Sequence, residues 1–293
     1  MNDIQLKKDT DCWRGSFTAM ASPCEVLMEV ECEGLAWRIV KQVADEARRI
    51  EAKFSRYQDD SIISRINAAN GQAVEVDDET ARLIDFADQL YQMSDGLFDI
   101  TSGALRRVWR FDGSENIPEP EAVHPVLRLV GWQEVEWQDN MLRLKAGMEV
   151  DLGGIGKEYA VDRCVQKVCE ITDCSVLINF GGDLAVSHLR NHEKCWSVGR
   201  LVTGRDQAVA LFQLYKGAIA TSGDANRYLL KNGRRYSHVL NPQTGWPVEA
   251  APHTVSVAAS TCTAAGMFST LAMLQGNQAE AFLKLQDVDY WID

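Results

Sequence analysis

Basic charge is scarce in this 293-residue chain: 30 Lys and Arg stand against 42 Asp and Glu, a formal net charge of −12. That deficit excludes the basic footprint of a nucleic-acid binder. It also excludes the polybasic segment that holds a protein to an anionic membrane. Long apolar runs are missing too. No stretch approaches the ~20 apolar residues of a membrane-spanning helix. The start, Met1 to Asp9, lacks the apolar region of a secretory signal. The chain is therefore expected in the cytoplasm, with no membrane anchor. Proline is sparse, and three of the seven fall between Asp112 and Pro125, so no Pro/Ser-rich linker divides the chain. The eight cysteines form no C-x-x-C pair, and Cys164, Cys169 and Cys174, spaced by five, fit no zinc template. They read as scattered reduced thiols.

What is present is an ordinary globular mixture, 46% hydrophobic and 25% charged. At ~150 residues per domain the length allows two units or one large one, and a chain of this size needs no disulfides to hold a core. Residues 1–18 are polar and read as a lead-in; 19–293 is expected to form a single unit. Val26, Met28 and Val30 alternate as in a strand. Leu35, Ile39, Val43, Ala47, Ile50 and Phe54 mark an amphipathic helix. Ser61 offers the cap of a short helix through Ile66. Asp78-Glu79-Thr80 opens another helix, with Leu83, Phe86, Leu90 and Met93 as its buried stripe. Asp112 to Pro125 reads as a surface loop, and Asp139-Asn140 as the turn of a hairpin. Val150 to Gly154 reads as a strand leading into a helix over 156–169, and 175–180 as a compact apolar strand. Strands are expected from Trp196 to Phe212, and Asn232-Gly233 signals a hairpin. Residues 254–259 follow as a strand and 261–274 as a helix. Strands and helices interleave without a βαβ beat, which predicts an α+β fold of mainly antiparallel sheets with packed helices.

Three strand ends carry glycine beside polar groups: Asp151-Leu-Gly-Gly-Ile-Gly-Lys157, Asn179-Phe-Gly-Gly-Asp183 and Ala220-Thr-Ser-Gly-Asp224. None has the G-x-G-x-x-G or Walker A spacing. Each is either a tight turn or one wall of an anion pocket built from backbone N–H groups and a helix N-terminus. His238 is either a structural histidine or a general base for a hydroxyl proton. Ser269 and Thr270 lie inside a helix, where a hydroxyl either satisfies the backbone or ligates a hard cation. Tyr57 and Phe98 place aromatics beside polar residues, either as core filling or as faces for a planar heterocycle.

Taken in order, Phe54–Asn67, Gly96–Gly103, Val150–Asp162, Asn179–Asp183, Ala220–Asp224 and Tyr236–Gly245 resemble the motifs of the FAD:protein FMN transferase family, the ApbE-type flavin transferases. The resemblance runs from about Met20 to Gly276. It implies a mixed α+β fold, FAD as substrate and Mg²⁺ as cofactor. The implied reaction transfers FMN to a Ser or Thr of a target flavoprotein and releases AMP. Two other uses of such a pocket stand beside it: hydrolysis of FAD to FMN and AMP, and FAD binding without catalysis. By position, the resemblance implies that Met20 and Tyr57 lie against FAD, that Leu97, Phe98 and Asp99 form a wall, and that Asp151, Lys157 and Val239 contact the cofactor. It implies His238 as base. It gives the metal the Gly154 carbonyl, the Thr270 hydroxyl and position 266. There the family usually has Asp and this chain has Gly266. Glu158 stands where many members have Gly. Asp151, Asp183 and Asp224 are the carboxylates expected to compensate. Asp99 to Leu105 approaches the family's acceptor pattern but ends in Leu105, and reads as structural.

Overall fold

The structure, a computed structural model, describes residues 3–200, 210–224 and 228–293. Its frame is an eight-stranded sheet whose strands lie side by side in chain order. They are β1 Gln5–Lys8, β2 Trp13–Ala19, β3 Ser22–Met28, β4 Val176–Phe180, β5 Asp183–Val186, β6 Gly217–Gly223, β7 Thr254–Ala259 and β8 Asp289–Ile292. Every neighbouring pair is antiparallel. The sheet is a meander interrupted by excursions, the longest between β3 and β4. It holds α1 Glu33–Phe54, α2 Ile62–Asn67, α3 Asp78–Met93, α4 Pro120–Leu127 and α5 Gly156–Cys169. A second excursion between β7 and β8 holds α6 Cys262–Leu274 and α7 Ala279–Lys284.

Helices α1, α5 and α6 cover one face of the sheet. The stripe of α1 is buried as its periodicity predicts, from Ile39 and Val43 to Ile50 and Phe54. The antiparallel pair Trp196–Arg200 and Ala210–Leu214 covers part of the other face, where Trp196, Phe212 and Leu214 pack on Leu177, Leu184 and Ile219. Strand β4 thus has cover on both sides, Val176, Ile178 and Phe180 facing one core and Leu177 the other. That explains its unbroken apolar run. The strand expectation for Trp196 to Phe212 is met at its two ends; residues 201–209 lie outside the described residues. All eight cysteines are free thiols. No helix among the described residues is long and apolar enough to cross a membrane.

The expected α+β class is the observed one, with differences in detail. The polar lead-in over residues 1–18 instead supplies β1 and β2, an edge strand and its neighbour. Lys7 and Lys8 on the edge follow the rule that exposed edges carry charge, and that charge hid the strand. The proline-rich loop 112–125 gives way to α4 from Pro120, because proline is well suited to a first helical turn. Val150 to Gly154 runs without strand pairing. Met93, placed in the buried stripe of α3, is 62% exposed at the helix end.

Glu79, in the first turn of α3, joins three helices. It accepts from Arg49 at 2.7 and 2.9 Å, from Lys53 at 2.7 Å and from the Tyr159 hydroxyl at 2.8 Å. Arg49 above all, then Lys53 and Tyr159, outweigh the cost of burial and hold the Glu79 carboxyl far below its usual range. A depressed carboxyl stabilises the fold above its unfolded pKa of ~4.3 and loses that contribution as pH falls further. Glu79→Gln is therefore expected to cost about 2 kcal/mol at pH 7. In urea unfolding at a series of pH values, the gap to wild type should narrow steadily below about pH 4. A gap independent of pH would contradict the assignment.

Candidate active site

Hydrogen bonds and ion pairs tie five of the six motif segments to one another, and the sixth, Tyr236–Gly245, is fastened through residues outside the motifs. Asn67 pairs with Val150 through both its amide groups, at 3.0 and 2.7 Å. Arg56 donates to the Gly103 carbonyl at 3.0 Å and faces Asp151 at 3.4 Å. The Asp151 N–H donates to the Ile100 carbonyl at 2.8 Å. A Cβ on Gly103 would stand 2.8 Å from Asp151 Cβ, so these two segments can meet only with glycine at 103. Phe98 lies against Gly154. Tyr57, 75% exposed, accepts at its hydroxyl from Arg106, which also faces Asp151 at 3.6 Å.

From Gly154 the chain enters α5, and the next contacts belong to strand ends. Lys157 Nζ lies 2.8 Å from Asp183 Oδ2, and Asp183 Oδ1 accepts the Thr221 N–H at 3.1 Å. One residue on, Ser222 Oγ is 2.9 Å from Ser269 Oγ and 3.0 Å from Thr270 Oγ1 on α6. Lys157 Nζ also approaches Gly181 beside Ser22, and Met20 belongs to the same β2–β3 turn. Burial pulls the Lys157 ammonium down, but Asp183 outweighs it and holds Lys157 above its ordinary value. Burial pushes the Asp183 carboxyl up.

Helices α5 and α6 meet in a defined register. Asp162 accepts the N–H groups of Cys262 and Thr263, each at 2.8 Å, and the Thr263 hydroxyl at 2.6 Å. A carboxylate there satisfies orphan donors and suits the positive end of α6. One turn back along α5, Glu158 meets Gly266, one turn forward along α6. A Cβ built on Gly266 would fall 2.5 Å from Glu158 Cγ and 3.1 Å from its Oε1. The space expected for an acid at 266 thus holds the Glu158 side chain, and an Asp added at 266 would collide with it. Glu158 is buried and its Oε2 has no hydrogen-bond partner. Burial first, then the nearby Asp183, push its carboxyl well above the ordinary range.

Other predicted residues lie differently. Asp99 gives Oδ1 to the N–H and hydroxyl of Thr101 at 2.7 and 2.6 Å and Oδ2 to the Trp132 N–H at 2.9 Å. It caps the 3-10 helix Ile100–Arg107 and fixes Leu97 and Phe98 rather than reaching outward. Leu97 and Val239 are half-buried against the apolar core. His238 follows the hairpin Tyr228–Lys231 and Arg234–Ser237, its ring edge-on to Phe111 at 6.3 Å. That segment is fastened by Trp109, which donates to the Gly245 carbonyl at 2.8 Å, and by Gln243, which donates to the Asp95 carbonyl at 2.8 Å. Asp224 pairs with Arg235 at 2.9 Å. No three His, Cys, Asp or Glu side chains converge as a metal cluster among the described residues. A cavity of 680 Å³ opens over Glu46, Arg49, Glu79 and Arg163; of the motif residues, Tyr159 alone lines it. No single motif shows the roles of Asp162 and Glu158 against α6; their four-residue spacing on one helix is the signal that relates them.

The sequence profile of the ApbE family matches residues 20–292. A Salmonella typhimurium protein named FAD:protein FMN transferase is 28% identical over 291 residues, covering 91% of this chain and 83% of the relative. A Chlamydia pneumoniae protein of the same name is 27% identical over 241 residues, covering 80% and 75%. The crystal structure of the ApbE protein from Thermotoga maritima superposes with a TM-score of 0.86 at 28% identity, covering 98% of this chain and 94% of that one. The flavinyl transferase ApbE of Pseudomonas stutzeri shares the fold, with a TM-score of 0.83 at 24% identity and coverage of 99% and 91%.

Lys157→Met leaves Asp183 buried without its counter-charge, and is expected to cost about 3 kcal/mol in urea unfolding. Adding Asp183→Asn in the same chain should recover most of that loss. Additive losses in the double variant would show that the two side chains do not act as a pair.

Proposed function

The chain belongs to the ApbE family, and we propose that it is a flavin transferase that moves the FMN half of FAD onto a Ser or Thr hydroxyl of a target flavoprotein, releasing AMP. The observation that carries this reading is the junction at the first turn of α5, where Lys157, the glycine-bearing ends of β4 and β6 and the hydroxyls of α6 come together. Residues 19–293 are proposed to act as one catalytic unit.

Several features support the reading. Lys157 brings a positive charge, and the start of α5 and the glycine turns bring backbone N–H groups suited to a pyrophosphate. Met20, Tyr57, Leu97, Phe98, Asp151 and Val239 are assigned to hold the rest of FAD. Tyr57 offers an exposed aromatic face, while Asp99 acts by positioning Leu97 and Phe98.

The donors near Gly266 fit a hard cation. They are oxygens, among them the linked hydroxyls of Ser222, Ser269 and Thr270 and an unpartnered buried carboxylate oxygen. The Gly154 carbonyl and the Thr270 hydroxyl would hold Mg²⁺. When bound, Mg²⁺ supplies charge neutralisation for the pyrophosphate oxygens and the leaving phosphate. His238 takes the proton of the acceptor hydroxyl at Nε2, its Nδ1 being buried. The freed oxygen then displaces AMP in line at the FMN phosphorus.

The test is incubation with FAD, Mg²⁺ and a protein bearing an exposed acceptor Ser or Thr. The expected result is a covalent mass gain of one FMN minus one water, with AMP released. His238→Gln should slow the gain about 10²–10⁴-fold and leave FAD binding in place. AMP release with FMN left free would overturn transfer in favour of hydrolysis. Tight FAD binding with neither product would overturn both.

A further inference from the structure

Glu158 is out of place for a structural residue. Its side chain lies in the first turn of α5 with 8% of its surface exposed, and Oε2 has no hydrogen-bond partner. Among the described residues it is the carboxylate with such an orphaned buried oxygen. A buried carboxylate oxygen without a partner is costly unless a cation or a donor meets it. The adjacent cation, Lys157, is directed to Asp183.

The orphan oxygen belongs to an oxygen-rich locus. Glu158 packs over Gly266, whose carbonyl accepts from Ser269 Oγ at 3.0 Å. Ser269 is linked through Ser222 to Thr270. Asp162 meets the start of α6 at Cys262 and Thr263, and Glu158 meets Gly266, so the two helices run antiparallel where they touch. Carboxylate, hydroxyl and carbonyl oxygens form the donor chemistry of Mg²⁺ or Mn²⁺ rather than of zinc or copper, and burial keeps the neighbouring Cys262 thiol protonated.

We propose that Glu158 supplies the carboxylate ligand of a divalent-cation site between α5 and α6, delivered from α5 into the space that Gly266 leaves on α6. Gly266 is required because any side chain there would strike Glu158 Cγ, and Glu158 is required because Gly266 offers no side chain. This deepens the flavin-transfer reading and rests on it for the use made of the ion, though not for the ion's binding.

The test uses Mn²⁺ alone, titrated into the full chain and followed by the loss of the free-ion signal in electron paramagnetic resonance. Wild type should bind one Mn²⁺. Glu158→Gln should weaken binding by about tenfold or more, since ligand charge sets affinity in such sites. The double variant Glu158→Gly, Gly266→Asp should return to within about threefold of wild type, the carboxylate now coming from α6. Thermal melts without Mn²⁺ show that each variant is folded. If Glu158→Gln proves unstable, the double variant decides alone. Absence of Mn²⁺ binding by wild type would overturn the proposal. So would unchanged affinity in Glu158→Gln, or a double variant as weak as that single one. If flavin transfer depends on metal while Glu158→Gln keeps its affinity, this proposal falls and the transferase reading stands. If Mn²⁺ binds through Glu158 but no FMN moves, the reverse holds.

Discussion

The N-terminal half of α5 is gripped from three sides, and the candidate site is arranged around that grip. Lys157 pairs with Asp183 at the end of the central strands, and Asp162, one turn on from Glu158, binds the N-terminus of α6. A third hold comes from Tyr159, whose hydroxyl reaches Glu79 in the network joining α1 and α3. Three consecutive residues, 157 to 159, thus point to three different neighbours: the sheet, α6 and the α1–α3 pair. Helical geometry allows this, because successive side chains on a helix are spread about its axis. A buried ion pair is weak evidence of net stability. Its value here is in geometry, since it fixes a positive charge beside the glycine turn at Gly181.

Much of the fold was legible in local pattern. The periodic stripe of α1, the Ser61 cap, the Asn232-Gly233 hairpin and the compact strand 176–180 all follow from rules acting within a few residues. Elements decided by distant partners were hidden. β1 is polar because it is an edge strand, and nothing local distinguishes it from a disordered lead-in. Pro120 reads as a breaker until the helix that it opens is seen. The same division holds for the site. Motif order pointed to Asp151, Lys157 and Thr270, and the structure joins their segments. That Asp99 is a cap depends on Thr101 and on Trp132, 33 residues away. The family resemblance implies an acid at 266 and none at 158, the reverse of what this chain has. Only the packing of α5 against α6 sets the two positions against each other.

The scarcity of basic residues acquires a local meaning. A chain with a net charge of −12 is poorly disposed to a diphosphate unless positive charge is concentrated where the ligand sits. Around the junction, Arg56 and Arg106 face Asp151, and Lys157 faces Asp183, so the nearby cations are balanced by carboxylates. Glu158 adds a further buried carboxyl group at the same place, its charge disfavoured by burial and by Asp183. The proposed divalent ion would resolve this arrangement, because it would reverse the local field and give the carboxylate oxygen its partner. An acidic lining would then suit an anionic substrate.

The most direct measurement is a crystal structure grown with FAD and Mn²⁺, read by its anomalous difference map. The account predicts one strong peak between α5 and α6, with Glu158 Oε2 and the Thr270 hydroxyl among the ligands and the pyrophosphate against Lys157. A peak elsewhere, or FAD bound at the junction while Glu158 remains unligated, would contradict it.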